Sequence, residues 1–327
     1  MLSRYRAYAF PLALLVIAVL DWVYIGTEQF VNALTIGGVY ALIALGYTMV
    51  YGIIELINFA HGDVFMMGSM ATMFLLTQLG LNGAVTDPVR LIILLVFTFL
   101  WAMILTGILG VVIERFAYRP LRNAPKLAPL ITAIGVSFIL ENIAQILVGP
   151  SPVSVPQIIN TQAEVSILGT QVSALKVFVI VVAVSLMVVL QLFISRTRMG
   201  RAMRSTAMDR DAAELMGVDI NGTIAITFFI GSALAGAAGV VQGLYFGTTF
   251  FQIGFQAGLK AFTAAVLGGI GNITGAALGG FIIGFIEVNS TVAGYSRWAE
   301  AIVFSILVLV LVFRPTGLLG QQLGERA

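Results

Sequence analysis

Charge is scarce in this chain. Its 327 residues hold 17 Lys and Arg, 15 Asp and Glu, and one His, so only 10% are charged. A soluble domain is usually about a quarter charged, and a soluble fold of this length needs more polar residues to cover its outside. The solvent around most of the chain is therefore lipid. Cysteine is absent, which excludes disulfides and thiol chemistry without specifying a compartment. The net charge of +2 points to neither nucleic acid nor a polyanionic partner. No GxxxxGK[ST] phosphate loop occurs. One histidine, no cysteine and no acidic cluster at depth leave little from which to build a membrane-embedded enzyme.

What the chain does have is apolar length. Hydrophobic residues make up 59%, in Leu-, Ile-, Ala- and Gly-rich runs that do not alternate, which favours helices over a barrel. The candidate membrane segments are roughly 8–25, 29–51, 63–80, 91–113, 127–148, 174–195, 222–245, 258–270, 274–290 and 297–313. The eighth and ninth are short and are expected to form one broken or re-entrant hairpin turning at "GGIGNITGAALGG". The expected fold class is an all-α polytopic membrane bundle of about 8–10 segments, forming one integral domain over residues 1–327. The basic start, Arg4 and Arg6, followed by an apolar run, reads as a retained first helix. Asp21-Trp22-Val23-Tyr24 stands where a signal peptide would place small residues for cleavage.

Basic residues orient the bundle. Arg4 and Arg6, then Arg115, Arg119, Arg122 and Lys126, then Arg196, Arg198, Arg201, Arg204 and Arg210, and finally Arg314 and Arg326 account for 13 of the 17. The segment list puts all of them on one side, the cytoplasm, with both termini. Loop 149–173 on the other side has no Lys or Arg. Its prolines forbid regular helix, and "AEVSILGTQVSAL" predicts a small β-hairpin about Gly169-Thr170. This outer loop either docks a partner or simply covers the bundle.

The segment "RTRMGRAMRSTAMDRDAAELMGVD" at 196–219 crowds nine charges into 24 residues between two long apolar spans. Ala212, Leu215 and Met216, with Met199 and Met203, give it an apolar side, and arginines occupy the others. A short amphipathic helix over about 199–217 is expected. It either lies on anionic lipid or docks into a groove of a soluble protein. Asp209, Asp211, Glu214 and Asp219 nearly balance the arginines, which favours docking.

Polar residues within the spans are the candidates for a path. Asn58, His61 and Asp63 are placed at the cytoplasmic mouth, as helix-capping groups or as an inner gate. Glu141 and Asn142, with Gln145 a turn later, lie inside the fifth span. An ionisable group there is costly and faces the bundle interior or a wet path. Lys260 and Glu287 are positioned to pair across the hairpin. Gly231, Ala235, Gly239, Gly243 and Gly247 recur every four residues and make one flat face for close helix packing. "NFAHGDVFMMG" at 58–68 and "NITGAALGG" at 272–280 form a weak internal echo.

Several of these stretches carry a family resemblance. Asp211-Ala212-Ala213 followed by Gly217 resembles the "EAA---G" coupling loop of ATP-binding-cassette importer permeases, with Asp in place of Glu. "GGVYALIALGYTMVYGIIELINFAHGDVFMMGS" (37–69), "KAFTAAVLGGIGNITGAALGG" (260–280) and "RPTGLLG" (314–320) resemble the permease subunits of branched-chain amino acid importers, of LivH type. "ERFAYRPLR" and "RTRMGRAMR" do so as well. The resemblance implies a transport subunit with no catalytic residues, cofactor or metal of its own. It also implies a second, non-identical permease, two cytoplasmic ATPases that bind ATP and magnesium, and a periplasmic binding protein. Arg198, Arg201, Arg204, Asp211, Ala212, Ala213 and Gly217 would then transmit ATPase motion to the bundle in a bacterial inner membrane. Two alternatives stay open: a permease of the same kind carrying urea, amides or another small solute, and an ion-coupled secondary transporter using Asp63, Glu141 or Glu287.

Overall fold

The computed structural model describes residues 2–122, 124–125, 127–167 and 169–320, with side chains from Val16 onward. Lys126 and Arg326, and the side chains of Arg4 and Arg6, lie outside that description. The helices are α1 (Leu2–Ile54), α2 (His61–Gln78), α3 (Pro88–Ile113), α4 (Leu127–Val148), α5 (Ala174–Arg196), α6 (Arg198–Met208), α7 (Arg210–Leu215), α8 (Ile220–Phe246), α9 (Ile253–Gly268), α10 (Ile273–Val292) and α11 (Ala299–Phe313). Among the described residues, seven helical segments are long and apolar enough to cross a bilayer. The molecule is thus an all-α multi-pass membrane protein. Helix α9, with 16 residues, is apolar but short.

The first two expected segments form one element broken at Gly26, whose φ of 79° takes it out of the helix. Asp21 accepts from Asn289 of α10, and Glu28 pairs with Lys176 of α5, so this break lies at the end away from the arginines. Gly37, Gly38, Gly46 and Gly52 leave the second span unbroken. They are points of close approach instead, such as Gly38 against Ala183 and Gly52 against Gly271.

α1 and α8 form the buried centre, wrapped by α2, α9 and α10. α3, α4, α5 and α11 turn Ile, Val, Leu and Phe outward, as helices with hydrocarbon on one side do. Glycines set the spacing. A Cβ on Gly239 of α8 would fall 2.5 Å from the Phe65 carbonyl, and Gly231 faces Gly46. Ala235 is fully buried, and Gly243 lies against Ser69 and Val155. Gly247 leaves this face and ends α8 in the left-handed conformation, φ 71°.

The loop at 149–173 carries the expected hairpin, β2 (Glu164–Ile167) against β3 (Thr170–Ser173). β1 (Val153–Ser154) pairs with β4 (Thr248–Thr249) beyond the end of α8. The α9–α10 hairpin is held by the segment after α11. Leu318 and Leu319 donate to the carbonyls of Leu267 and Gly268, which the end of α9 leaves free. The Asn272 side chain donates to the Leu319 carbonyl and caps α10 through the Gly275 N–H. "GGIGNITG" and "RPTGLLG" thus form one folded unit.

Lys260 and Glu287 do pair, at 3.0 Å, and Tyr40 of α1 donates to the other Glu287 oxygen at 2.9 Å. Glu300 of α11 stands 3.6 Å from Lys260, so four helices meet on this network. Lys260→Met should destabilise the extracted protein by about 1–3 kcal/mol, the cost of removing a charged partner from a part-buried carboxylate that Tyr40 still serves. Thermal melts check this. The double variant Lys260→Met, Glu287→Gln should recover most of the loss, and a double variant as unstable as the single would refute the pair.

Candidate functional site

α2 begins deep in the bundle. Its first residue, His61, lies against Gly46 of α1 and beside Gly231 of α8. Asp63 accepts a hydrogen bond from Ser137 of α4. Gly46 is eight residues from the end of α1, Ser137 ten from the start of α4 and Gly231 eleven from the start of α8. At 1.5 Å per residue, all three place the start of α2 about 12–16 Å from the arginine-rich end. Residues 55–60 must climb that distance, starting at Glu55 with a left-handed φ of 56°. The cytoplasmic mouth expected for these residues is therefore a position near mid-bundle.

α9 begins at the same depth. Gly254 and Gly258 in its first turns touch Gly62. From there α2 runs parallel to α8 toward the far end, with Gly68 on Gly236, while α9 descends until Gly271 meets Gly52. Two helix N-termini thus converge inside the protein, neither with a side-chain cap. The capping role considered for Asn58 is not what it does here. Its side chain accepts from the Tyr118 hydroxyl at 3.1 Å. That hydroxyl is delivered by a π-turn, Glu114–Tyr118, at the end of α3.

A cavity of about 280 Å³ opens beside the junction, lined by Tyr47, Phe59, Ser137, Phe138, Glu141, Gly254, Phe255 and Gly258. Ser137 and Glu141 are four residues apart and share one face of α4. His61 packs edge-on against Tyr47, with ring centroids 4.7 Å apart. Neither His61 ring nitrogen has a well-formed hydrogen bond, nor has Asp63 Oδ1, and both residues are essentially fully buried. Asn142 is not in the cavity. It is exposed and donates to the Phe138 carbonyl one turn back. Sequence reasoning missed Ser137, Tyr47, Gly254 and Gly258. The Ser137–Glu141 and Gly254–Gly258 spacings of four were the available signals.

The charged arm at the other end is two helices, not the single one expected over 199–217. Asp209 breaks it, capping α7 through the Ala212 N–H at 3.0 Å. An aspartate with extended backbone, its carboxylate accepting from the next helix's N–H, competes with helix continuation there. Gly217, φ 85°, ends α7, and Val218 donates back to the Ala213 carbonyl. Ala213 faces inward, while Arg198, Arg201, Arg204, Asp211 and Ala212 are exposed. Arg204 donates to the Ile194 carbonyl. Leu215 and Met216, part of the expected apolar side, are 89% and 84% exposed. Arg210 reaches back to the Ile53 carbonyl at 3.0 Å, tying the arm to the last turn of α1. Next to it Arg122 is ion-paired with Glu114 and donates to Asn221 at 2.6 Å. Burial pulls its guanidinium below the ordinary arginine value, and Glu114 opposes that shift.

The family described as "Branched-chain amino acid transport system / permease component" matches residues 29–312. A relative from Pseudomonas aeruginosa, the high-affinity branched-chain amino acid transport system permease protein BraD, is 45% identical over 307 residues, covering 93% of this chain and 99% of its own. The permease protein LivH of Escherichia coli (strain K12) is 42% identical over 302 residues, covering 91% of this chain and 97% of its own. A probable LivH of Methanocaldococcus jannaschii is 26% identical over 88% of this chain and 91% of its own. No solved structure matches the chain.

Proposed function

The chain belongs to the permease components of branched-chain amino acid transport systems, and from that premise we propose that it is the membrane path of an ATP-driven importer of branched-chain or other hydrophobic amino acids. It works in transport and not as an enzyme. Nucleotide and magnesium bind in two partner ATPases, a second permease completes the path, and a periplasmic protein delivers the solute. The chain acts as one permease domain in a bacterial inner membrane, with both termini and the charged arm in the cytoplasm.

The observation that carries this reading is the arm. Leu215 and Met216 stand free in a short helix pair anchored through Arg210 to α1. Exposed apolar side chains on a charged, rigid mount suit a groove on a soluble partner. α1 also carries Gly46 and Tyr47, which touch His61 and the cavity. A push on the arm therefore reaches the junction through one continuous helix. The cavity opens on the side of α4 where Asn142 and Gln145 are exposed. Polar side chains facing hydrocarbon are costly, which supports a second permease covering that side.

Reconstitution in vesicles tests the proposal. The chain with a second permease, both ATPases and the binding protein should take up leucine, isoleucine and valine only with ATP. The chain alone under an ion gradient should take up none. Uptake by the isolated chain would make it an ion-coupled carrier, and uptake of urea or amides in place of branched amino acids would change the cargo.

A further inference from the structure

Two carboxyl groups, Glu141 on the wall of the mid-bundle cavity and Asp63 beside it against Gly254, have no basic partner among the described residues. Among the described residues, neither Asp63 nor Glu141 is in a salt bridge, and Lys260, on the same helix as four cavity residues, is engaged with Glu287 and Glu300. Asp63 is 1% exposed, and its Oδ1 lacks a partner and points at Gly254 on the cavity wall. Its Oδ2 is bound by Ser137, which shares one face of α4 with Glu141 one turn away. A carboxylate beside another in a low-dielectric interior carries its charge only at a cost, which a cation nearby offsets. The other walls, Ile134, Phe138, Phe255 and Leu259, are apolar. At about 280 Å³ the space is just below the roughly 300 Å³ lower bound of pockets for drug-sized ligands, the scale of a single amino acid.

We propose that Glu141, with the Asp63–Ser137 pair behind it, anchors the ammonium group of the passing solute, while the aromatic wall receives its aliphatic side chain. This deepens the transport reading and rests on it. Neutral or anionic solutes of the same shape lack the group that the acids bind, so the membrane path itself discriminates among what is delivered.

The test uses the reconstituted complex of both permeases and both ATPases. Without nucleotide or binding protein, radiolabelled leucine should bind, leucinol (ammonium, no carboxylate) should compete, and 4-methylpentanoate (carboxylate, no ammonium) should not. Glu141→Gln and, separately, Asp63→Asn should weaken leucinol competition about tenfold or more, the value of a charge-assisted hydrogen bond. With binding protein and ATP added, both variants should lose leucine uptake to a similar degree, and Glu141→Asp should recover part of it. Both ATPases should co-purify with each variant as they do with wild type, since the arm is untouched. That readout also shows that the variants have assembled. Absence of leucine binding to the wild-type complex, competition by 4-methylpentanoate in place of leucinol, or wild-type behaviour of both variants overturns the anchor. If the wild-type complex transports and only the anchor fails, the transport reading stands. If the wild-type complex shows no ATP-driven uptake, that reading falls too.

Discussion

A chain carrying Gly280→Val and Gly284→Val should yield no folded bundle on extraction, whereas Gly135→Val should fold normally. α1 against α10 is the most extensive helix contact in the structure, and it is built backbone on backbone. A Cβ on Gly284 would lie 2.5 Å from the Ala33 carbonyl oxygen and from Gly37 Cα, and one on Gly280 would collide with the backbone of Ala41. Neither obstacle is a side chain that can rotate away. Lipid supplies no hydrophobic drive to hold the helices together, so dispersion and weak hydrogen bonds at close range do most of it. A gap of 0.5–1 Å already forfeits about a quarter to a half of each contact. Overpacking costs about 1–3 kcal/mol per site, sometimes more, against a total stability of about 5–15 kcal/mol. The two sites share one interface, so their costs need not add fully. Gly135 has nothing within 4 Å of its Cβ position and faces outward. The yield of monodisperse protein by size exclusion reads the difference, and equal yields would mean that α10 slides away at little cost.

Much of this architecture was legible in the sequence because hydropathy and length are what a bilayer selects. The fifth expected segment, 127–148, coincides with Leu127–Val148, and the seventh and ninth agree within two or three residues with α8 and α10. The Lys260–Glu287 pair was also foreseeable, since two charges across a hairpin in lipid have few other partners. Depth was not legible. Hydropathy says that 61–78 is apolar, but not that it starts near mid-bundle. That depends on residues 55–60 folding back inward, which only the fit of Gly46, Gly231 and Ser137 around His61 and Asp63 determines. The same limit hid the meeting of α2 and α9. Gly62, Gly254 and Gly258 look like ordinary packing glycines until both helices are placed. In the arm, the apolar spacing that suggested one helix was outweighed locally by the cap that Asp209 offers to α7.

Replacing Leu215 and Met216 with aspartate should disconnect the protein from the proposed ATPase partner while leaving its own fold intact. Exposure of 89% and 84% means that the free chain gains almost nothing from these side chains, so the melt of the isolated permease stays within about 0.5 kcal/mol of wild type. Their worth appears only on docking. Burying a Leu or Met contributes about 1.5–3 kcal/mol, and forcing a carboxylate into the same apolar groove adds its desolvation cost. A combined loss above about 3 kcal/mol would lower affinity for the proposed ATPase partner more than about 100-fold, which suits anchors at the centre of an interface. Uptake and ATP hydrolysis stimulated by the binding protein should fall together, and co-purification with the ATPases should weaken. Charge reversal at Arg201 and Arg204 should act in the same direction but less strongly, because exposed charges are worth only about 0–1 kcal/mol each and are screened by salt. The order of these two effects is the discriminating result. If the arginines matter more than Leu215 and Met216, and do so most at low salt, the arm binds through its charges to an anionic surface, and the apolar tip is incidental.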